Sequence, residues 1–211
     1  MADEASTSTV AKAPVETPVA PPAEKSSTLT AAQAKSALLT LDDMPTGWTQ
    51  SKPEADDDED PTVTPKRCSA VLDAVDQQGK PLAEAEATFS PSDLGPQLDH
   101  TVSSWPRSQV PVLSKLTAAF RQCPKFTSTS ADGSSATFQA SGLSFPNVGD
   151  RTLALRLKAK SDGINLVVDV IYIAKGNNGI ALMVTGLQPL DGATLEKLAR
   201  KAVARLDAAA S

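Results

Sequence analysis

The chain has 211 residues, of which 40% are hydrophobic, 21% charged and 4% aromatic. That is room for one domain of ordinary size plus a tail, and too little for two full domains. The net charge of -5 sits at the front: residues 1–30 sum to -2, 31–66 to -5 and 67–211 to +2, so the body has no field suited to nucleic acid.

Residues 1–28 lack glycine and aromatics, and Pro14, Pro18, Pro21 and Pro22 favour extended backbone. Their few valines bury too little area to offset ordering entropy, so a disordered, semi-rigid stalk is expected there, followed by one domain over 29–211. No run of apolar residues reaches the ~18–20 needed to span a membrane. No secretory signal with a charged start, apolar core and small-residue cleavage site is visible. Met1 leading directly into the stalk gives the expectation that a targeting segment has been removed.

Thr30 and Gln33 form a capping-box pattern that opens a short helix through Leu38 and Leu39. Thr40 is placed to cap a second turn, with Asp42 and Asp43 favourable to its dipole, and Pro45-Thr46-Gly47 stops it before Trp48. Residues 53–63 form an acidic loop, with six carboxylates between Glu54 and Asp60. The run lacks the alternating ligands and central glycine of a calcium loop, and a solvated loop is expected. Thr64-Pro65 starts a helix that puts Cys68, Val71, Leu72 and Val75 on one face.

Strands are expected at 82–90 and 97–105, and a helix at 111–123 with Leu113, Leu116, Phe120 and Cys123 inward. From Lys125 the period becomes two. Strands at 126–130 and 135–142 flank Asp132-Gly133, and strands at 152–160 and 164–174 flank Asp162-Gly163. A two-residue turn there sets Leu157 opposite Val168, Leu155 opposite Val170, Leu153 opposite Tyr172 and Arg156 opposite Asp169. Arg156, Lys158 and Lys160 then read as a solvent-facing edge partly neutralised by Asp169. A three-residue loop at Gly176-Asn177-Asn178 is expected before a strand at 180–185, placing Leu182 and Val184 on the side of Val170 and Tyr172. Asp191 caps a last helix to about Ala209, with Leu195, Leu198, Ala199, Ala202, Val203 and Leu206 on one face. The expected class is α+β: a curved antiparallel sheet of about six or seven strands with helices packed on one face.

The chemistry available is sparse. His100 is the one histidine, in no nucleophile motif, and reads as a surface or half-buried structural residue. No His/Cys cluster suits zinc. Trp48 and Trp105 read as anchors for adjoining loops. Catalytic, metal and cofactor sites are all expected to be absent. Two readings stand for the cysteines: a Cys68–Cys123 disulfide, or two reduced residues packed as small hydrophobes. Their inward placement and the stalk favour the disulfide and an oxidising compartment.

The segment Ala37-Leu38-Leu39-Thr40-Leu41-Asp42-Asp43-Met44-Pro45-Thr46-Gly47-Trp48 resembles the opening of the PknH-like extracellular sensor domains of actinobacteria. Those domains occur on receptor Ser/Thr kinases and as free secreted lipoproteins, and the later elements follow in the family's order over about residues 30–208. The resemblance implies a curved antiparallel sheet whose helices form a cleft for an unidentified ligand. Kinase-borne members look stapled by two disulfides, whereas this chain has cysteines for one. With no kinase domain, a lipoprotein-type member is implied, its stalk following a lipid-modified cysteine and holding it outside the cell membrane. A non-enzymatic sensor-like binding domain is therefore expected, its partner a small molecule or cell-envelope component. The alternatives are a carrier of lipid or cell-wall precursor, or a protein-interaction module. Nucleic acid is not expected, and contact with the membrane is expected only through the lipid anchor.

Overall fold

The computed structural model describes residues 27–52, 62–69, 80–92, 95–161 and 163–211. Among these, the elements in chain order are α1 (Ala31–Ser36), a 3-10 turn (Leu41–Asp43), β1 (Thr49–Ser51), β2 (Thr62–Thr64), a second 3-10 turn (Lys66–Cys68), β3 (Ala83–Ser90) and β4 (Gln97–Ser104). Then come α2 (Val110–Gln122), β5 (Lys125–Thr129), β6 (Ser135–Gly142), β7 (Arg151–Ser161), β8 (Ile164–Lys175), β9 (Asn178–Gly186) and α3 (Gly192–Ala210). All strands join one antiparallel sheet in the order β1-β3-β4-β9-β8-β7-β6-β5-β2.

The α+β class stands, with nine strands in place of six or seven. The two additional strands, β1 and β2, have three residues each, too few to establish a period, and pairing with β3 and β5 makes them strands. The expected helix through Val71, Leu72 and Val75, the acidic run Glu54–Asp60 and stalk residues 1–26 lie outside the described residues. Cys68 itself ends a 3-10 turn. Ser27 already belongs to the folded body: its carbonyl accepts from Asn178 Nδ2 at 3.1 Å, and its hydroxyl donates to the Ala210 carbonyl at 3.2 Å.

Strand parity divides the molecule. Phe89, Leu98, Val102, Ile180, Leu182, Ile171 and Ile173 share one face and pack with α1 and α3 through Ala34, Ala37, Leu195, Leu198, Ala202 and Leu206. Leu153, Leu155 and Ala174 point the other way and meet Leu113 and Leu116 of α2. Helices therefore cover both faces, α1 and α3 on one and α2 on the other. The expectation of a single covered face fails because β8 is apolar on both sides and each side takes its own cover.

The same double-sidedness corrects the β8–β9 loop. Lys175 pairs with Asn178, so the turn has two residues, with Gly176 at φ +58 where an L side chain is strained. Leu182 consequently pairs with Ile171 and lies opposite the face of Val170 and Tyr172. Apolar continuity with either side of β8 was available, and the larger core takes β9. The β7–β8 register is as expected, with Leu157 opposite Val168, Leu155 opposite Val170, Leu153 opposite Tyr172 and Arg156 opposite Asp169.

Helix ends follow their capping chemistry. Gln33 N–H donates to Thr30 Oγ1, and Thr30 N–H to Gln33 Oε1, closing the expected box. α1 nonetheless stops at Ser36, before Leu38 and Leu39. Six residues are too few for a helix to persist alone, and α1 is held by Ala34 and Ala37 in the core and by Gln33 Nε2 donating to the Ala209 carbonyl at 2.9 Å. In α3, Asp191 Oδ2 accepts from Thr194 N–H at 2.9 Å.

Candidate functional site

The sheet opens where its strands differ in length. β6 outruns β5: Lys125 pairs with Gln139, and Ala140–Gly142 go on against β7, apart from one bond from Ala140 N–H to the Pro124 carbonyl. The last turns of α2 stand over this end, and the chain from Leu143 to Asp150 swings round to re-enter as β7. That connection is pinned. Val148 N–H donates to Thr152 Oγ1, Asp150 N–H to the Ala174 carbonyl, and Asp150 Oδ2 accepts from Gly176 N–H. Gly149 presses so closely on β8 that a Cβ there would lie 2.5 Å from Ile173 Cγ2 and 2.7 Å from the Ala174 carbonyl oxygen.

The result is a cleft of about 430 Å³ between α2 and the β6–β7 end. Thr117, Phe120 and Arg121 come from α2, Ser141 from β6, Arg151 and Leu155 from β7, and Phe145 from the connection. Such a volume falls within the range of small-molecule sites. The expected helix-over-sheet cleft is thus present, but its lining is mixed, with hydroxyls and two guanidinium groups beside the apolar side chains.

Leu143 and Phe145 also wall a second pocket of about 160 Å³ on the α3 side of the sheet. Its floor is the Arg156–Asp169 pair. Arg156 Nε donates to Asp169 Oδ1 at 2.6 Å and Nη2 to Oδ2 at 2.8 Å. Asp169 is 1% exposed and Arg156 29%, so the pair is no solvent-facing edge as expected. It lies between strands, with Leu190 and Leu195 over it. A carboxylate so buried is tolerable because both its oxygens are engaged by one fork of donors. Lys158 and Lys160 do face solvent.

His100 lies far from any surface role. It pairs in register with Ala87 and Leu182 and is fully buried, which corrects the expected surface or half-buried placement. β4 is a central strand whose even-numbered positions face the main core. Leu39 N–H donates to Nδ1 at 3.0 Å, which leaves the ring proton on Nε2. Burial first, and the Arg205 charge second, lower the imidazole pKa from 6.5 to about 3, outweighing the opposite pull of Asp43. A clamp closes over this region: Arg205 Nε donates to Asp43 Oδ2 at 2.6 Å, and Arg205 Nη2 to Thr40 Oγ1 at 2.8 Å. Burial would raise the Asp43 carboxyl, but hydrogen bonds from Thr40 and Arg205 hold it below its ordinary value.

Cys68 and Cys123 form a disulfide with Cα atoms 5.5 Å apart. Both are buried, in a small cluster with Val63, Phe120 and Phe126. The bridge fixes the end of α2 beside the cleft. Trp48 is buried in the main core and Trp105 is half-buried; neither is among the residues that line the cleft. Among the described residues no group of three or more His, Cys, Asp or Glu could hold a metal ion. Arg121 and Arg151 were not singled out by sequence reasoning. They stand thirty positions apart, and the packing of α2 on β7 through Leu113, Leu116, Leu153 and Leu155 brings them to one cleft.

No protein-family model matches the chain, and no curated protein matches it significantly. Among solved structures, the extracellular domain of PknH from Mycobacterium tuberculosis is similar, with a TM-score of 0.65 and 13% identity over 87% of this chain and 98% of that one. An uncharacterised protein from Mycobacterium smegmatis has a TM-score of 0.48 and 13% identity, over 78% of this chain and 92% of that one. The first of these likenesses shows that the two chains share a fold.

Proposed function

We propose that the chain is a non-enzymatic, sensor-like ligand-binding domain that works outside the cell membrane and is held there as an actinobacterial lipoprotein by its N-terminal stalk. The observation that carries this reading is the 430 Å³ cleft between α2 and the β6–β7 end. It lies in a fold shared with a domain whose name places it outside the cell. The buried disulfide supports an oxidising compartment. Binding without catalysis is supported by His100, whose Nδ1 is engaged in the core and which lines no part of the cleft. A carrier of lipid or cell-wall precursor would call for an enclosed apolar cavity, and this cleft is mixed in lining and open to solvent. A protein-interaction module would call for a continuous apolar patch. Among the described residues the exposed large apolar side chains come from separate elements: Leu41 from the first 3-10 turn, Leu82 before β3, Ile164 at the start of β8, and Met183 and Leu187 in and after β9.

The test is native mass spectrometry of protein purified from an actinobacterial host without organic solvent, set against its denatured mass. A reproducible adduct lost on denaturation is expected. A clean apo mass, together with a co-purifying protein on the α2 face, would overturn the small-ligand reading.

A further inference from the structure

We infer that the occupant of the α2–β7 cleft is an amphipathic anion, a carboxylate or phosphate group carried on an apolar body. This rests on the cleft being the binding site. Its lining contains two guanidinium groups, Arg121 in the last turn of α2 and Arg151 at the first position of β7, and no Asp or Glu. Among the described residues neither arginine forms an ion pair, whereas Arg156, Arg200 and Arg205 each hold a carboxylate. Two like charges lining one cleft repel each other, and an anion between them relieves that repulsion. Guanidinium suits the task because its planar fork matches a carboxylate or phosphate with paired donors. Thr117, Ser141 and Thr152 also line the cleft, with their hydroxyls engaged within the protein: Thr117 Oγ1 donates to the Leu113 carbonyl, Ser141 Oγ donates to the Arg156 carbonyl, and Thr152 Oγ1 accepts from Val148 N–H. Phe120, Phe145, Leu153 and Leu155 supply the apolar wall, which inorganic phosphate alone would leave unused. A basic residue in a last helical turn also suits the helix dipole, but that role gives no reason for Arg151.

The experiment is calorimetric titration of the full chain with octyl phosphate, octanoate, octyl glucoside and inorganic phosphate, each below any micelle concentration. Octyl phosphate and octanoate are expected to bind at one site at least tenfold more tightly than octyl glucoside. Arg121→Gln and Arg151→Gln are each expected to weaken the anions about tenfold and to leave octyl glucoside unchanged. Arg121 is exposed, Arg151 half-buried and both unpaired, so thermal melts should match the parent chain. Thr117→Trp, which fills the cleft, separates the possible failures. Equal binding of octyl glucoside and the anions, lost in Thr117→Trp but indifferent to the arginines, overturns the anion and leaves the cleft. Inorganic phosphate binding as tightly as octyl phosphate overturns the apolar body. No binding by any probe overturns both the inference and the cleft reading.

Discussion

The two faces of the sheet are built differently. Under α1 and α3, β3, β4, β9 and β8 contribute to one continuous core, and Arg205 clamps the Leu41–Asp43 turn onto it through Asp43 and Thr40. Under α2 the packing is narrower: Leu113 and Leu116 meet Leu153, Leu155 and Ala174, and a disulfide holds the helix's end. The cleft lies on this second side. Apolar packing is thus more extensive on one face, while the other keeps a covalently held helix beside open surface. Binding regions are commonly drawn from the less stable parts of a fold.

The two cores are expected to differ most in what truncation costs them. Leu182, fully buried in the larger one, is expected to cost about 4 kcal/mol on truncation to Ala, and Leu116 in the smaller one about 2 kcal/mol, within the usual span for such cavities. Urea unfolding of both variants measures the gap, and equal losses would erase the distinction. Next in size is the bridge. Replacing Cys68 and Cys123 by Ser is expected to cost about 3 kcal/mol. Hydrogen exchange should then rise in α2 well before α3; uniform protection would mean that α2 is held by packing alone.

A smaller effect sharpens the account of the α1–α3 face. His100 resists protonation when folded, with a pKa of about 3 against 6.5, so the unfolded chain binds the extra proton between those values. Stability is therefore full above pH 6.5 and falls as the pH drops, by about 2 kcal/mol at pH 5. Asp43, whose folded pKa is lowered, adds its loss only at more acid pH, as its carboxylate takes up a proton. His100→Gln should flatten the dependence between pH 5 and 7. A slope unchanged by that substitution would show that another group titrates there.

Much of the fold was legible where a local signal was strong. Asp162-Gly163 and the Arg156/Asp169 pairing set the β7–β8 register, and Thr30 and Asp191 marked the starts of their helices. The parity of β9 was not legible, because Val167, Val168, Val170, Ile171, Tyr172 and Ile173 make β8 apolar on both sides. β1 and β2 were invisible because three residues show no period. The resemblance carried by residues 37–48 led to the fold that the structure shows. The cleft's arginines could not be read in advance. Arg121 follows the inward stripe of its helix and Arg151 opens a strand, and nothing local joins them.

The most direct test of the central claim is a titration of isotopically labelled protein with octyl phosphate, followed by amide chemical shifts. Saturable shifts are expected, centred on Thr117, Phe120, Arg121, Ser141, Arg151 and Thr152, with α3 unaffected. Shifts centred on α3, or none that saturate, would contradict that claim.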